Sequence, residues 1–389
     1  MVVISSTPSR QRTLLFLVRD DWYFASHRLP LAKAAAAIGF RVVVATAVDR
    51  HGEALRAAGC EVIAVPAFRA RGLAGRLAVV WQVIRLYRDV RPDVAHHVAL
   101  LPIVVGGIAR RFCGTRHIID AIAGRGFVFT STSLKARALR PLLLLALRFG
   151  LARPRGGSVH TIVQNADDGH FLLQHNLARK SEIVLVPGVG VDLRAFVPVE
   201  PPGGTPVVIL AARMLWDKGI NEFVQAARIL RQRGVPARLV LIGASEDDGP
   251  RWVPTAQLEN WSVEGIIEWW GQRTEMPSIL GSSHVVALPT AYGEGVPKIL
   301  LEAAASGRPI VTTDVAGCRD VVRQNDNGIL IPPHDALALA NAIERLVKDA
   351  PLRRRMGQRG RARAESDFSI EDAATQTLSL YGPAHRELG

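Results

Sequence analysis

The strongest constraint on this chain is a rhythm. Short runs rich in Val, Ile and Leu alternate with longer amphipathic stretches. The alternation predicts strands over residues 14–18, 41–46, 61–65, 93–98 and 117–122, with helices over 28–38 and 73–90. Strand, helix, strand is the repeating unit of a parallel sheet covered on both faces. After a further strand over 182–186, the segments 187–192 and 196–204 carry so many Pro and Gly residues that regular structure stops. The rhythm then restarts, with strands over 207–212, 237–242, 285–288 and 309–312 and helices over 221–233 and from Pro297 onward. A chain of 389 residues is long for one core. The reading is an α/β protein of two domains, 1–198 and 199–365, with a last helix within 366–389 packing back on the first.

Charge divides the same two halves. Residues 1–198 hold 27 Lys or Arg against 12 Asp or Glu, a balance of +15, whereas residues 199–389 hold 21 against 23, a balance of −2. A basic first half attracts polyanions: nucleic acid, anionic lipid or a phosphate-bearing substrate. Its arginines are scattered through α/β elements without a nucleic-acid-binding signature, so a nucleic-acid partner is not expected. Three widely spaced cysteines give neither a disulfide framework nor a zinc site, which suits a reducing, cytoplasmic compartment. Arg19, Asp20 and Asp21 cut short the first apolar run, so it reads as a strand and not as a secretion signal. The run at 141–147, flanked by Arg140 and Arg148, is far below the roughly 20 residues that span a bilayer. Its surroundings, 139–150, suit either a membrane interface, peripheral on the inner face, or a buried helix.

The sharpest local pattern is Glu294-Gly-Val-Pro-Lys-Ile-Leu-Leu-Glu302, at the carboxyl end of a predicted strand and running into a helix. Free N–H groups and the dipole at such a helix start suit a diphosphate, and ligands of open parallel sheets gather at this edge. Glu302 lies about 7.5 Å along the helix from its start, too far to share one substrate atom with Glu294. The two carboxylates can flank a diphosphate and accept from sugar hydroxyls at either end. A second pattern, Ala212-Arg213-Met-Leu-Trp-Asp-Lys218-Gly, places a planar guanidinium and a mobile ammonium before a helix, a pair able to neutralise a leaving diphosphate. Metal ligation is not expected: His96 and His97 point to opposite faces of a strand, and neither Asp20-Asp21 nor 246–248 forms an Asp-x-Asp clamp.

Arg213, Lys218 and the Glu294-to-Glu302 spacing resemble the retaining GT-B glycosyltransferases that carry an E-x7-E motif (group 1, family 4). Ser26-His27-Arg28, Gly124-Arg-Gly126 and the segment 307–320 are similar to bacterial members that extend undecaprenyl-diphosphate-linked sugars. The resemblance implies two Rossmann-like domains facing across a cleft, and catalysis by Glu294, Arg213 and Lys218. It implies a nucleotide-sugar donor, UDP-linked, held by those three with Gly295, Val296, Lys298 and Glu302, without a metal or other cofactor. It implies a polyprenyl-diphosphate saccharide as acceptor, an anionic membrane surface as partner, and surface-glycan assembly as the setting. Candidate acceptor contacts are Asp21, His27, Arg28, His97, Gly124 and Gly126. Two departures stand out: Ile122 replaces a histidine common in relatives, and 20–27 reads as a bulky loop where relatives carry a glycine pair. A UDP-sugar epimerase of the same fold, or a transferase using a soluble acceptor, is the alternative.

Overall fold

The computed structural model describes residues 10–124, 129, 134–154, 156–246, 249–291, 294–383 and 385–386. The chain divides into two compact units, Met1–Val189 with Ala373–Gly389, and Gly190–Asp372.

The first unit holds a seven-stranded parallel sheet of β1 (Thr13–Asp20), β2 (Arg41–Ala47), β3 (Glu61–Ala64), β4 (Val94–Val98), β5 (His117–Ile122), β6 (Ser158–Val163) and β7 (Ile183–Leu185). Its strand order is β3-β2-β1-β4-β5-β6-β7. The helices are α1 (Asp21–His27), α2 (Leu29–Ala37), α3 (Gly52–Ala57), α4 (Gly72–Val90), α5 (Leu100–Ala109), α6 (Leu134–Leu151) and α7 (Ala166–Gln174). Side chains alternate across a strand, so β1 feeds two cores: Leu14, Phe16 and Val18 enter one, Leu15 and Leu17 the other. This burial on both faces is why the strands read as nearly unbroken apolar runs.

The second unit repeats the plan with six parallel strands: β8 (Val207–Ala211), β9 (Arg238–Ile242), β10 (Glu268–Trp269), β11 (Val285–Leu288), β12 (Ile310–Thr313) and β13 (Gly328–Ile331). They are ordered β10-β9-β8-β11-β12-β13. Its helices are α8 (Ile220–Gln232), α9 (Thr255–Val263), α10 (Met276–Ser282), α11 (Lys298–Ala305), α12 (Cys318–Val321), α13 (Ala336–Lys348) and α14 (Ala350–Asp367). The last helix, α15 (Ile370–Ser379), begins in this unit and ends in the first, where Ala373, Ala374 and Leu378 pack on the core of Leu14 and Phe16.

The apolar segment at 141–147 lies in α6, which is neither wholly buried nor wholly exposed. Leu147 and Leu151 join a core with Ile103 and Ile122. Gly107 of α5 and Gly150 of α6 let the two helices touch, since a Cβ on Gly107 would sit 2.3 Å from the Gly150 oxygen. The other side of α6 exposes Leu134, Leu142, Leu145 and Phe149. Among the described residues, no helix is long and apolar enough to cross a membrane.

Residues 20–27, read from the sequence as a loop, are mostly helix α1. Asp21 starts it, favourably placed for the helix dipole, and Phe24 anchors it edge-on to Phe16 at 5.2 Å.

His97, expected at the acceptor, is fully buried in β4, a strand with neighbours on both sides and cores on both faces. Its Nδ1 meets Asp120 Oδ1 at 2.6 Å and its Nε2 meets the Tyr87 hydroxyl at 2.5 Å. A Cβ on Gly106 would strike that ring at 2.3 Å, so α5 carries glycine there. His97 is thus a satisfied core group. Burial, with the charge of Asp120, pushes the Tyr87 hydroxyl well up, so it remains a donor. Tyr87→Phe leaves His97 Nε2 unpaired in the interior and is expected to cost about 1–3 kcal/mol in urea unfolding. Unchanged stability would contradict this account.

Candidate active site

The second unit gathers its chemistry where the carboxyl ends of β8, β11 and β12 release their loops. Arg213 lies two residues past the end of β8 and is exposed. From there the loop runs to a single tight turn, Trp216–Lys218, and then to Gly219, whose φ of 77° opens α8. A Cβ at Gly219 would overlap the Pro289 oxygen at 2.1 Å, so glycine lets this loop press against the one leaving β11. The seam is bonded: Ala291 N–H donates to the Asp217 oxygen at 2.9 Å, and the Thr290 hydroxyl lies 3.1 Å from the same oxygen.

Across this seam, Lys218 Nζ meets Glu294 Oε2 at 2.5 Å, with both side chains largely buried. Glu294 Oε1 lies 3.0 Å from the Thr290 hydroxyl. That hydroxyl has one hydrogen to share between Asp217 and Glu294, and a carboxylate is the stronger acceptor. Thr290 is in turn fixed from β12, whose Thr313 hydroxyl donates to the Thr290 oxygen at 2.7 Å. Both oxygens of Glu294 are therefore held before any ligand arrives.

The loop after β12 braces the other side. Glu294 N–H donates to the Ala316 oxygen, and Gly317, with φ 82°, comes so close that a Cβ would lie 1.5 Å from the Gly295 oxygen. Burial pushes the Cys318 thiol up to about 12, with the charge of Glu294 adding to the rise, so it is no nucleophile. Gly295 and Val296 are buried, and α11 begins at Lys298 with Pro297 as its N-cap, one residue later than the sequence suggested.

Glu302 sits one turn into α11, buried, and pairs with Lys298 Nζ at 3.0 Å. Burial holds its carboxyl above the ordinary range, while the Lys298 charge works against that shift. A carboxylate kept in a dry position with one cation is a demanding arrangement. The structure thus brings Lys218 to Glu294 and Lys298 to Glu302 as two separate pairs.

The residues expected at the acceptor lie in the first unit and divide differently. Asp21 is fully buried, and its Oδ2 accepts from the N–H groups of Asp49 and His51 at 2.7 and 2.9 Å, tying the end of β1 to the loop after β2. That carboxylate serves the backbone. His27 is partly exposed and stacks on Tyr23 at 4.3 Å. Gly124 follows β5 with φ 94° and is partly open. Arg28 is buried between α1 and α2. Gly126 lies outside the described residues. Sequence reading missed Thr290, Thr313 and Gly317; the only local hint was that Thr290 lies four residues before Glu294.

Two family models match the two halves. Residues 205–349 match the family described as glycosyl transferases group 1, and residues 13–153 match the one described as glycosyl transferase 4-like. Among curated proteins, the N,N'-diacetylbacillosaminyl-diphospho-undecaprenol alpha-1,3-N-acetylgalactosaminyltransferase of Campylobacter jejuni is 24% identical over 370 residues, spanning 91% of this chain and 94% of that protein. Among solved structures, sucrose-phosphate synthase from Thermosynechococcus elongatus superposes with a TM-score of 0.78 at 22% identity, covering 95% of this chain and 98% of that one. Anabaena HepE in complex with UDP and glucose gives 0.76 at 18%, covering 95% and 99%. These structural likenesses carry the fold, and the family models carry the chemistry class. The chain belongs to the group 1 glycosyltransferases and is a transferase of GT-B fold.

Proposed function

We propose that this enzyme moves a hexose or N-acetylhexosamine from a UDP-sugar, with retention of configuration, to a saccharide carried on a polyprenyl diphosphate during surface-glycan assembly. The observation that carries the reading is the Lys218–Glu294 pair at 2.5 Å, braced by Thr290. A cation beside a hydroxyl acceptor supports the reading, because recognition of a sugar diphosphate needs both.

In this mechanism Arg213 and Lys218 neutralise the diphosphate as its oxygen leaves the anomeric carbon. The acceptor hydroxyl attacks that carbon from the face being vacated, and its proton passes to an oxygen of the departing phosphate. Glu294 and the backbone of Gly295 and Val296 orient the sugar, and Glu302 takes the ribose hydroxyls. The two cations supply the neutralisation that a metal provides elsewhere, so we propose metal-independent catalysis.

The acceptor class is supported by the Campylobacter relative, whose name specifies an undecaprenol-linked diphosphate sugar. The UDP donor is supported by the Anabaena complex. The surface of the first unit fits a peripheral position on the cytoplasmic face of an anionic membrane. Helix α4 exposes Leu77 and Trp81, α6 exposes its own apolar stripe, and Arg85 and Arg111 lie over the rings of Trp81 and Phe149 at 5.8 and 5.9 Å. Apolar side chains bordered by arginines suit the headgroup boundary.

Calorimetric titration with UDP, GDP and several UDP-sugars in the absence of metal, paired with transfer assays on liposomes bearing undecaprenyl-diphosphate saccharide, tests the whole reading. Selective UDP binding and lipid-dependent transfer are expected. Conversion of a UDP-sugar without lipid would replace the reading with an epimerase, and no nucleotide binding would end it. Lys218→Ala is expected to lose about 3 kcal/mol of transition-state stabilisation, roughly a hundredfold in kcat. Undiminished turnover would remove Lys218 from the chemistry.

Glu302 gives a separate test through stability. Because burial raises its folded carboxyl above the unfolded value, the folded state resists ionisation above the carboxylate range and is relieved as pH falls. Glu302→Gln is expected to raise the melting temperature of the unliganded protein at pH 7.5 by roughly 2–4 °C per kcal/mol relieved, with the gain shrinking towards pH 4. The same variant should bind UDP more weakly. A lower melting temperature, or unaltered UDP affinity, would show that Glu302 serves the fold instead.

A further inference from the structure

Arg28 stands where two helices meet: it is the C-cap of α1, an end that favours a cation, and also the N-cap of α2, an end that favours an oxygen acceptor or a negative charge. No side chain caps that end, and the first turn contains no acid. The guanidinium is 5% exposed, and its Nε and Nη2 are buried without a hydrogen-bond partner. Among the described residues it has no ion pair. Of the acids nearest in sequence, Asp20 lies 3.9 Å from Arg19, and Asp21 accepts through Oδ2 from the backbone of Asp49 and His51 while its Oδ1 is 3.9 Å from His51 Nδ1 and has no hydrogen-bond partner. A buried charge without a counter-ion is among the costlier things a fold can carry.

A second unsatisfied group lies within reach of the same charge. His96 is fully buried in β4, its Nδ1 meets the Tyr381 hydroxyl at 2.6 Å, and its Nε2 has no partner. Burial holds this imidazole well below its ordinary range, and the charges of Arg28 and then His97 push the same way. Burial pushes the Tyr381 hydroxyl well up, and the Arg28 charge works against that rise. In the tautomer in which Tyr381 donates to Nδ1, His96 carries its hydrogen on Nε2 and is a third donor. A helix N-terminus, a guanidinium fork and an imidazole N–H on neighbouring elements are three positive features that lack an anion.

We propose that Arg28, the N-terminus of α2 and His96 form a binding site for a phosphoryl group of the acceptor. The planar fork suits two oxygens of one phosphate, and the helix end favours its charge. The site is distinct from the donor cations Arg213 and Lys218, which belong to the second unit. The proposal rests on the lipid-diphosphate reading for the identity of the phosphate, but phosphate binding itself can be measured without sugar transfer.

The probe is inorganic pyrophosphate, titrated into the full chain carrying Arg213→Ala and Lys218→Ala so that the donor cations are absent. Binding is expected to persist there and to fall at least tenfold when Arg28→Met is added, with Arg28→Lys keeping part of it. Pyrophosphate should raise the melting temperature of the parent but not of the Met variant. Without anion, Arg28→Met should melt higher than the parent, because it removes an uncompensated charge. In transfer assays the loss should appear in KM for the diphosphate acceptor and not in KM for the donor. Pyrophosphate binding indifferent to Arg28→Met, or a Met variant that melts lower, would overturn the proposal. So would a matching loss of affinity for plain phosphatidylglycerol vesicles, which would assign Arg28 to bilayer headgroups. If sugar transfer is absent while Arg28-dependent pyrophosphate binding remains, the lipid reading falls and the anion site stands.

Discussion

Burial of both parallel sheets on both faces is the constraint from which the other features follow. A strand such as β1 must offer apolar side chains alternately to two cores, leaving little room for polar groups along its length. Chemistry is displaced to the strand ends, where loops are free to carry charge. Glycine then determines how closely those loops approach: Gly219 against Pro289, and Gly317 against Gly295. The pairing of Lys218 with Glu294 results from loop packing as much as from attraction between charges.

Several charges of this molecule are kept away from water, unlike those of its ordinary surface. Exposed ion pairs such as Arg41 with Glu61 are solvated and contribute little. Glu302 and Arg28 are different, because burial opposes the charged form of one and leaves the other without an opposite charge. Each is a local conflict in the fold, and conflicts of this kind occur where a ligand supplies the missing partner. The buried triad of Tyr87, His97 and Asp120 is the contrasting case, in which both imidazole nitrogens are occupied within the protein.

The sequence carried the repeated α/β plan because long apolar runs and Pro/Gly breaks are local signals. Arg213, Lys218, Glu294 and Glu302 could be singled out as candidates, since motif spacing is local too. Helix α1 was hidden because Trp22, Tyr23 and Phe24 have no strong helical preference, and their anchoring depends on Phe16. Strand β6 is absent from the strands expected from the sequence; its run is short and mixes Ser, His and Thr with apolar residues. The burial of His97 depends on β4 standing mid-sheet, which strand order decides. Thr290 acquires its role from Asp217 and Thr313, both distant in the chain.

Helix α15 makes the two units unequal in the order of their synthesis. The second unit has all its residues once Asp372 is made, but the first still lacks the helix that covers Leu14 and Phe16 and the hydroxyl that meets His96. A nascent chain leaving the ribosome therefore presents its first sheet early and closes that core last. Until Tyr381 arrives, the core of Leu14 and Phe16 lacks its last covering helix and His96 lacks its hydroxyl partner.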